Sequence, residues 1–274
     1  MITENGTHTG TEAGTGQPGL SPADTAKNAA ACRAVDFVED GMRVGLGTGS
    51  TAAFMVRRLG QLVREAGLRV TGVPTSSRTA ALARDEGIHV VTLAEAGWLD
   101  LTIDGADEFD PAFNLIKGGG GAHLQEKVVA TASDRMIVIA DPDKDVAQLG
   151  AFPLPVEVLQ FGWEVTQRLI AELLEGQDVA SRGITRRMGA EGPFVTDEGN
   201  FILDLHLGRI GNPPALALAL NQIAGVVENG LFIDICDVVV IGHPDGHVTV
   251  RDRHSGRETS HGAVPDNAFS GLGG

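Results

Sequence analysis

The sequence predicts an α/β fold: a largely parallel sheet flanked by helices, joined to a second, smaller α+β unit. Three observations predict it. Short apolar runs alternate with helical segments from residue 21 to residue 140, which is the pattern of a parallel sheet. An acidic cluster, Asp104-Gly-Ala-Asp-Glu-Phe-Asp110, follows the alternating Leu99, Leu101 and Ile103, so it stands at the exposed carboxyl end of a strand, where open α/β sheets take their ligands. After Gly150 the texture changes to a β-α-β-β-α-β order, that of a ferredoxin-like unit.

Each element has a local reason. Ser21-Pro-Ala-Asp reads as a cap with proline at the first helical position, opening a helix to about Val38 that Asp40-Gly41 ends. Met42 to Gly47 reads as a buried strand, Gly47-Thr-Gly-Ser-Thr51 as a loop, and Ala52 to about Ala66 as a helix. Leu68 to Val73 is a second strand, followed by Pro74-Thr-Ser-Ser-Arg78 and a helix; Ile88 to Leu93 is a third. The Asp104 strand comes next, then the loop from Lys117 to Gly121 and a helix from Leu124 to Ala132 with Glu126 in its first turn. Met136 to Ala140 adds a strand that ends at Asp141-Pro-Asp-Lys144.

Phe152-Pro-Leu-Pro-Val156 is an extended entry into the small unit. Gly162 to Leu174 reads as an amphipathic helix, Asp197-Glu-Gly-Asn200 as a hairpin turn between two short strands, Pro214 to Ile223 as a helix, and Val226 to Ile233 as the last strand. Asp237 to Ile241 and Val248 to Val250, about the turn Pro244-Asp-Gly246, rejoin the main sheet. The division is therefore a disordered tail (1–20), an α/β unit (21–150 with 234–250), an α+β unit (151–233) and a polar tail (251–274).

Composition narrows the function. The chain has 274 residues, enough for a full core, and two cysteines, Cys32 and Cys236, far apart and with no apolar leader; a reducing cytoplasm is expected rather than a disulfide framework. No apolar run reaches the roughly 20 residues of a membrane span. The net charge is −15, from 21 basic and 36 acidic residues. An acidic body without a basic stripe argues against nucleic acid as partner, whereas a small anion remains possible in a local pocket of lysines and amides.

Gly45-Leu-Gly-Thr-Gly-Ser-Thr51 lacks the glycine that a dinucleotide motif needs at Ser50, and no lysine follows it as in a P-loop. What remains is a turn of hydroxyls and amides at a helix start, suited to one phosphate or to simple capping. Asp104, Asp107, Glu108 and Asp110 raise the question of a metal. Lys117 and the glycine loop follow at once, and a cation already supplied reduces the need for one. Glu108 and Asp110 fit a solvated acidic turn; Asp104, directly after a strand, does not. His243 and His247 flank a turn without a third ligand, and Cys32 reads as a small buried residue.

Gly45-Leu-Gly-Thr-Gly-Ser-Thr51, Asp104-Gly-Ala-Asp-Glu108 and Lys117-Gly-Gly-Gly-Gly121 with Glu126 together resemble ribose-5-phosphate isomerase type A, over about Ser21 to Val250. Phe152-Pro-Leu-Pro-Val-Glu157 and the Asp197 hairpin match the same family. The resemblance implies a Rossmann-like main domain and a cytoplasmic homodimer or higher homo-oligomer of the non-oxidative pentose phosphate pathway, acting on a small sugar phosphate with no metal and no cofactor. It implies Glu126 as catalytic base, with Asp104, Asp107 and Lys117 around the reacting carbons and Gly105, Ala106, Gly118, Gly119 and Gly120 lining the substrate. Thr48, Gly49, Ser50 and Thr51, with Lys144 and Lys27, would hold the phosphate. His123 departs from the small or apolar residue usual there.

Two alternatives use the same fold. A sugar-phosphate sensor would need a DNA-binding module, for which a leader of 20 residues is too short. A CoA-transferase-like enzyme would use a glutamate as nucleophile; the spacing from Lys117 through the glycines to Glu126 favours the isomerase.

Overall fold

Ser21 accepts a hydrogen bond from the Asp24 amide and starts the first helix, with Pro22 at its first position. The computed structural model describes residues 20–263, so the expected disorder of residues 1–19 and the last part of the polar tail lie outside the described residues. In chain order the elements are α1 (Pro22–Val35), β1 (Arg43–Leu46), α2 (Ser50–Ala66), β2 (Thr71–Pro74), α3 (Ser77–Asp85), β3 (His89–Val90), α4 (Leu93–Ala96) and β4 (Leu101–Gly105). Two short strands follow, β5 (Glu108–Phe109) and β6 (Leu115–Ile116), then α5 (His123–Thr131) and β7 (Met136–Ala140). The next group is β8 (Leu154–Val158), α6 (Trp163–Leu174), β9 (Gly183–Arg186), β10 (Phe201–His206), α7 (Pro213–Leu220), β11 (Val226–Asn229) and β12 (Leu231–Phe232). The chain returns through β13 (Val238–Gly242), β14 (Val248–Asp252) and β15 (Arg257–His261).

The main sheet has eight strands in the order β15-β14-β13-β7-β4-β1-β2-β3. Pairing is parallel from β3 across to β13 and antiparallel for β14 and β15. One face packs against α1, α2 and α3 through Leu46, Ile103, Ile137, Ile139 and Val240. The other carries Met136 and Val138 against Ala130 of α5 and against Phe109, Leu115 and Phe232 of a three-stranded sheet, β12-β6-β5. Register then decides where the acid points. Asp104 pairs with Val138, and Ile103 with Ile137; since side chains alternate faces, Asp104 lies on the α5 face.

The small unit is a four-stranded antiparallel sheet in the order β11-β8-β10-β9. Helices α6 and α7 cover it through Ile170, Leu174, Leu216 and Leu220. Among the described residues no helix is long and apolar enough to cross a membrane.

The structure departs from the sequence reading in several places. The main sheet continues past Val250: β15 pairs with β14 from Val248↔His261 to Asp252↔Arg257, inside the segment expected as a tail. The expected third strand keeps only His89 and Val90, because Thr92 and Glu95 form a reciprocal capping box that opens α4. The run from Val226 to Ile233 divides at Gly230, where a Cβ would overlap the Lys117 carbonyl and Pro155, and its second half joins β6 instead. The turn at Asp197 does not close a simple hairpin, since a bridge between Met188 and Pro193 lies between β9 and β10. Glu108 is no solvated turn residue: it is 4% exposed and accepts from the Gly150 and Phe152 amides at 2.7 and 2.5 Å. Asp110 does build a turn, accepting from Ala112 and Asn114.

Candidate active site

At the carboxyl end of β4 the Asp104 side chain is fully buried, and it is no part of a solvated turn. Its Oδ1 accepts from the Thr48 amide at 3.0 Å and the Gly105 amide at 2.7 Å. Gly47 is required beside it, because a Cβ there would overlap this carboxylate. The Lys117 Nζ stands 3.0 Å from Asp104 Oδ2 and 3.2 Å from Glu126 Oε2, and it donates to the Gly105 carbonyl. Lys117 is 2% exposed and Glu126 4%. Two carboxyl groups and one ammonium thus share a dry site with a formal excess of one negative charge.

That imbalance shapes the protonation of the three groups. Burial, and then the neighbouring Asp104, push the Glu126 carboxyl up to about 8, against the pull of Lys117. Burial likewise raises Asp104. Burial disfavours the Lys117 charge, but Asp104 and Glu126 outweigh that penalty and hold its pKa above the usual lysine value. A carboxylate tuned toward neutrality beside a fixed cation is equipped to move a proton.

The loop after Lys117 is built from backbone. Gly118 and Gly121 have φ of 107° and 79°, which glycine adopts freely. The Gly119 amide donates to Asp107 Oδ2 at 2.7 Å and the Gly121 amide to the Gly118 carbonyl at 3.0 Å. His123, the departure noted in the sequence, is fully buried against Gly118. Burial pushes its imidazole down to about 3, so it is a neutral packing group.

These elements surround a polar cleft of about 350 Å³. Lys27, Thr48, Gly49, Ser50, Thr51, Gly105, Ala106, Asp107, Lys117, Gly118, Gly119, Gly120, Glu126 and Lys144 all line it, with Asp104 buried beneath. Gly49 precedes α2 at φ 115° and no side chain caps that helix, so its first amides are open to an anion. Thr48 differs from the sequence expectation: its hydroxyl turns away from the cleft into a cluster with Thr75, Ser76 and Thr79 at 2.8 to 3.1 Å. The groups left facing the cleft at this end are the α2 amides, Ser50, Thr51, Lys27 and Lys144.

The sequence reading omitted Ala23, Ala52 and Asp141 from this lining. Asp141 carried the same signal as Asp104, an acid directly after a strand. A larger hollow of about 570 Å³ lies beside the outer face of α5, lined mainly by aliphatic side chains such as Val73, Val91, Leu93 and Val128. It contains neither the lysine nor the carboxylate pair. Among the described residues no group of His, Cys, Asp and Glu is arranged to hold a metal. His243 and His247 simply stack, with ring centroids 3.8 Å apart.

A sequence profile of ribose 5-phosphate isomerase A (phosphoriboisomerase A) matches residues 71–246. A ribose-5-phosphate isomerase A of Cereibacter sphaeroides is 70% identical over 253 residues, covering 92% of this chain and 98% of its own. That of Ruegeria pomeroyi is 69% identical over 237 residues, 86% of this chain and 90% of the relative. Among solved structures, ribose 5-phosphate isomerase A from Methanocaldococcus jannaschii superposes with a TM-score of 0.77 at 41% identity, covering 85% of this chain and all of that one. A D-ribose-5-phosphate isomerase in complex with phospho-erythronic acid gives a TM-score of 0.78 at 38% identity, over 84% of this chain and 99% of its own. Fold, cleft and likeness along nearly the whole length agree: the chain belongs to the ribose 5-phosphate isomerase A family.

Proposed function

We propose that this cleft carries out the reaction for which its family is named, the reversible isomerisation of D-ribose 5-phosphate and D-ribulose 5-phosphate in the non-oxidative pentose phosphate pathway. The observation that carries the reading is Lys117 held between Asp104 and Glu126, about 3 Å from each, in a cleft that also contains an uncapped helix start and Lys144. Moving a carbonyl between C1 and C2 requires a proton to leave one carbon and arrive at the other through an enediolate. Glu126 takes the proton from C2 and returns it to C1, so one carboxylate serves both half-reactions. Negative charge develops on oxygen, and Lys117 with the glycine-loop amides stabilises it in a preorganised dry site. Asp104 and Asp107 manage the hydroxyl protons during ring opening. The phosphate, bound by the α2 amides with Lys144 and Lys27, fixes C1 and C2 against the base. A relative that holds phospho-erythronic acid supports a phosphorylated sugar-like ligand.

The same reading makes the protein a homodimer or higher homo-oligomer of the cytoplasm. Phe161, Val165 and Leu169, spaced four residues apart on and just before α6, are 92%, 57% and 39% exposed, an apolar stripe suited to a second copy. Cys32 and Cys236 are free and buried, as a reducing compartment allows.

The test is ribulose 5-phosphate formation from ribose 5-phosphate in EDTA, for the wild type and for Glu126→Gln. The wild type turns over; the variant retains phosphate-ester binding and loses about 10²- to 10⁴-fold in kcat. Equal turnover in the two would remove Glu126 as the base.

A further inference from the structure

Arg187 lies just past β9, outside the cleft lining, yet it reaches the glycine loop. Its amide donates to Ile202 of β10 at 2.8 Å, so its backbone belongs to the four-stranded sheet. Asp204 of β10 grips the guanidinium on two sides: Nε donates to Oδ2 at 3.0 Å and Nη2 to Oδ1 at 2.5 Å. Such a fork fixes the plane of the group as well as its position. The remaining nitrogen, Nη1, donates to the Gly118 carbonyl at 2.8 Å and to the Gly119 carbonyl at 3.2 Å.

Peptide planarity turns this grip into an orientation of the amides. In a trans peptide the N–H points away from the C=O, so a Gly118 carbonyl drawn to Arg187 sends the Gly119 N–H to the other side. That side is the cleft, because the Gly119 N–H donates to Asp107, which lines it. The Gly119 carbonyl is drawn the same way, so the Gly120 N–H faces the cleft too. Among the described residues no acceptor takes it. Successive N–H groups on one side of a loop form an anion-binding concavity; Asp107 occupies one here and the other is open.

The loop needs such a grip. Gly118 to Gly121 are consecutive and have no side chains to restrict them. The His123 ring packs against Gly118 and the Phe194 ring against Gly121, and Phe152 and Asp107 stand beside Gly119; the two carbonyls at Gly118 and Gly119 are held by Arg187.

We propose that Arg187, oriented by Asp204, is a positioning residue for the isomerisation: it sets the peptide between Gly119 and Gly120 so that the Gly120 N–H meets the oxygen that becomes negative in the enediolate. The inference rests on the isomerase reading. It makes the four-stranded sheet part of the catalytic apparatus, although no side chain from that sheet lines the cleft.

The experiment compares wild type, Arg187→Lys, Arg187→Ala and Asp204→Asn by steady-state kinetics, thermal melting, and affinity for two probes, phospho-erythronate and inorganic phosphate. The carboxylate of phospho-erythronate presents anionic oxygen where the enediolate does. Each folded Arg187 variant is expected to lose about tenfold or more in kcat while KM stays within about twofold. Phospho-erythronate affinity falls in step with kcat/KM, and phosphate affinity does not change. Arg187→Lys retains the charge without the fork, and Asp204→Asn frees the guanidinium plane, so either decides the question should Arg187→Ala fail to fold. A folded variant with kcat within about twofold of wild type, or one that loses phosphate and phospho-erythronate affinity equally, overturns the proposal. An inactive wild type would instead overturn the isomerase reading, before any variant is considered.

Discussion

At the scale of single residues, the proposed reaction depends on how far burial moves one carboxyl. Glu126 in water would be ionised at neutral pH and a weak base; in its site the carboxyl is pushed up to about 8, first by burial and then by Asp104. A base acts only when ionised, so the sign is fixed: kcat/KM rises with pH and levels off above about 8. Initial rates at low substrate between pH 6 and 9 check this, and a flat profile would contradict it. The grouping of Asp104, Lys117 and Glu126 was legible in the sequence, because the three stand at the edges of recognisable elements. The direction of the Thr48 hydroxyl was not legible for a physical reason: a loop sequence gives the hydroxyl but not where it points, and the partners that turn it inward, Thr75, Ser76 and Thr79, lie a whole strand and helix away. Arg187 was invisible for the same kind of reason. Nothing in its neighbourhood along the chain announces contact with Gly118 and Gly119.

At the scale of elements, α1 illustrates how composition controls distance. Ala26, Ala29, Ala30, Ala31 and Ala34 are all buried in it, and small side chains let its backbone approach β13. Gly242 completes the approach, since a Cβ there would overlap the Ala26 carbonyl and the Ala30 amide. Those are backbone atoms and cannot rotate aside. Gly242→Ala is expected to cost about 1 to 3 kcal/mol of stability and, by displacing α1 and with it Lys27, to raise KM more than it lowers kcat. Denaturant melts and steady-state kinetics read the two effects; a variant as stable as wild type would show that α1 can move without cost. The helix was legible in the sequence from its cap, Ser21 with Pro22 at the first position. The two-residue strands β5 and β6 were not, because alternation needs more residues than they contain. Strand β15 reads Arg-Glu-Thr-Ser-His with four of its five residues exposed, so it offers no apolar pattern, and only its backbone ladder to β14 makes it a strand.

At the scale of the whole molecule, the cleft lies at a seam. Lys127 of α5 bonds Glu228 of β11 at 2.9 Å, the Ser77 amide of α3 donates to Asp197 at 2.9 Å, and Arg187 reaches the glycine loop. Holding acids dry at such a seam has a thermodynamic cost with a definite pH dependence. Glu126, Asp104 and Glu157 all have folded pKa values raised by burial, so between the ordinary carboxyl value and the raised one the unfolded chain binds fewer protons than the native one, and stability falls as pH rises. His123 acts oppositely: burial lowers it from 6.5 to about 3, so its contribution grows with pH until the unfolded imidazole loses its proton near 6.5. The two slopes oppose each other below about 6.5; above it the carboxyl slope continues up to about 8, opposed in part by Lys127, whose pKa burial lowers. Unfolding free energy from urea titrations is therefore expected to be lower at pH 9 than at pH 6.5. Glu126→Gln, neutral at every pH, leaves Lys117 matched by Asp104 alone; it should nearly equal wild type in the acid range and exceed it at pH 9. If wild-type stability is the same at both values, or the variant declines as steeply as wild type, then burial does not hold Glu126 protonated and the base is not tuned in this way. If the expected pattern is found, the residue whose loss abolishes turnover is also one whose loss stabilises the fold, the relation required of an active-site carboxylate held against its own solvation.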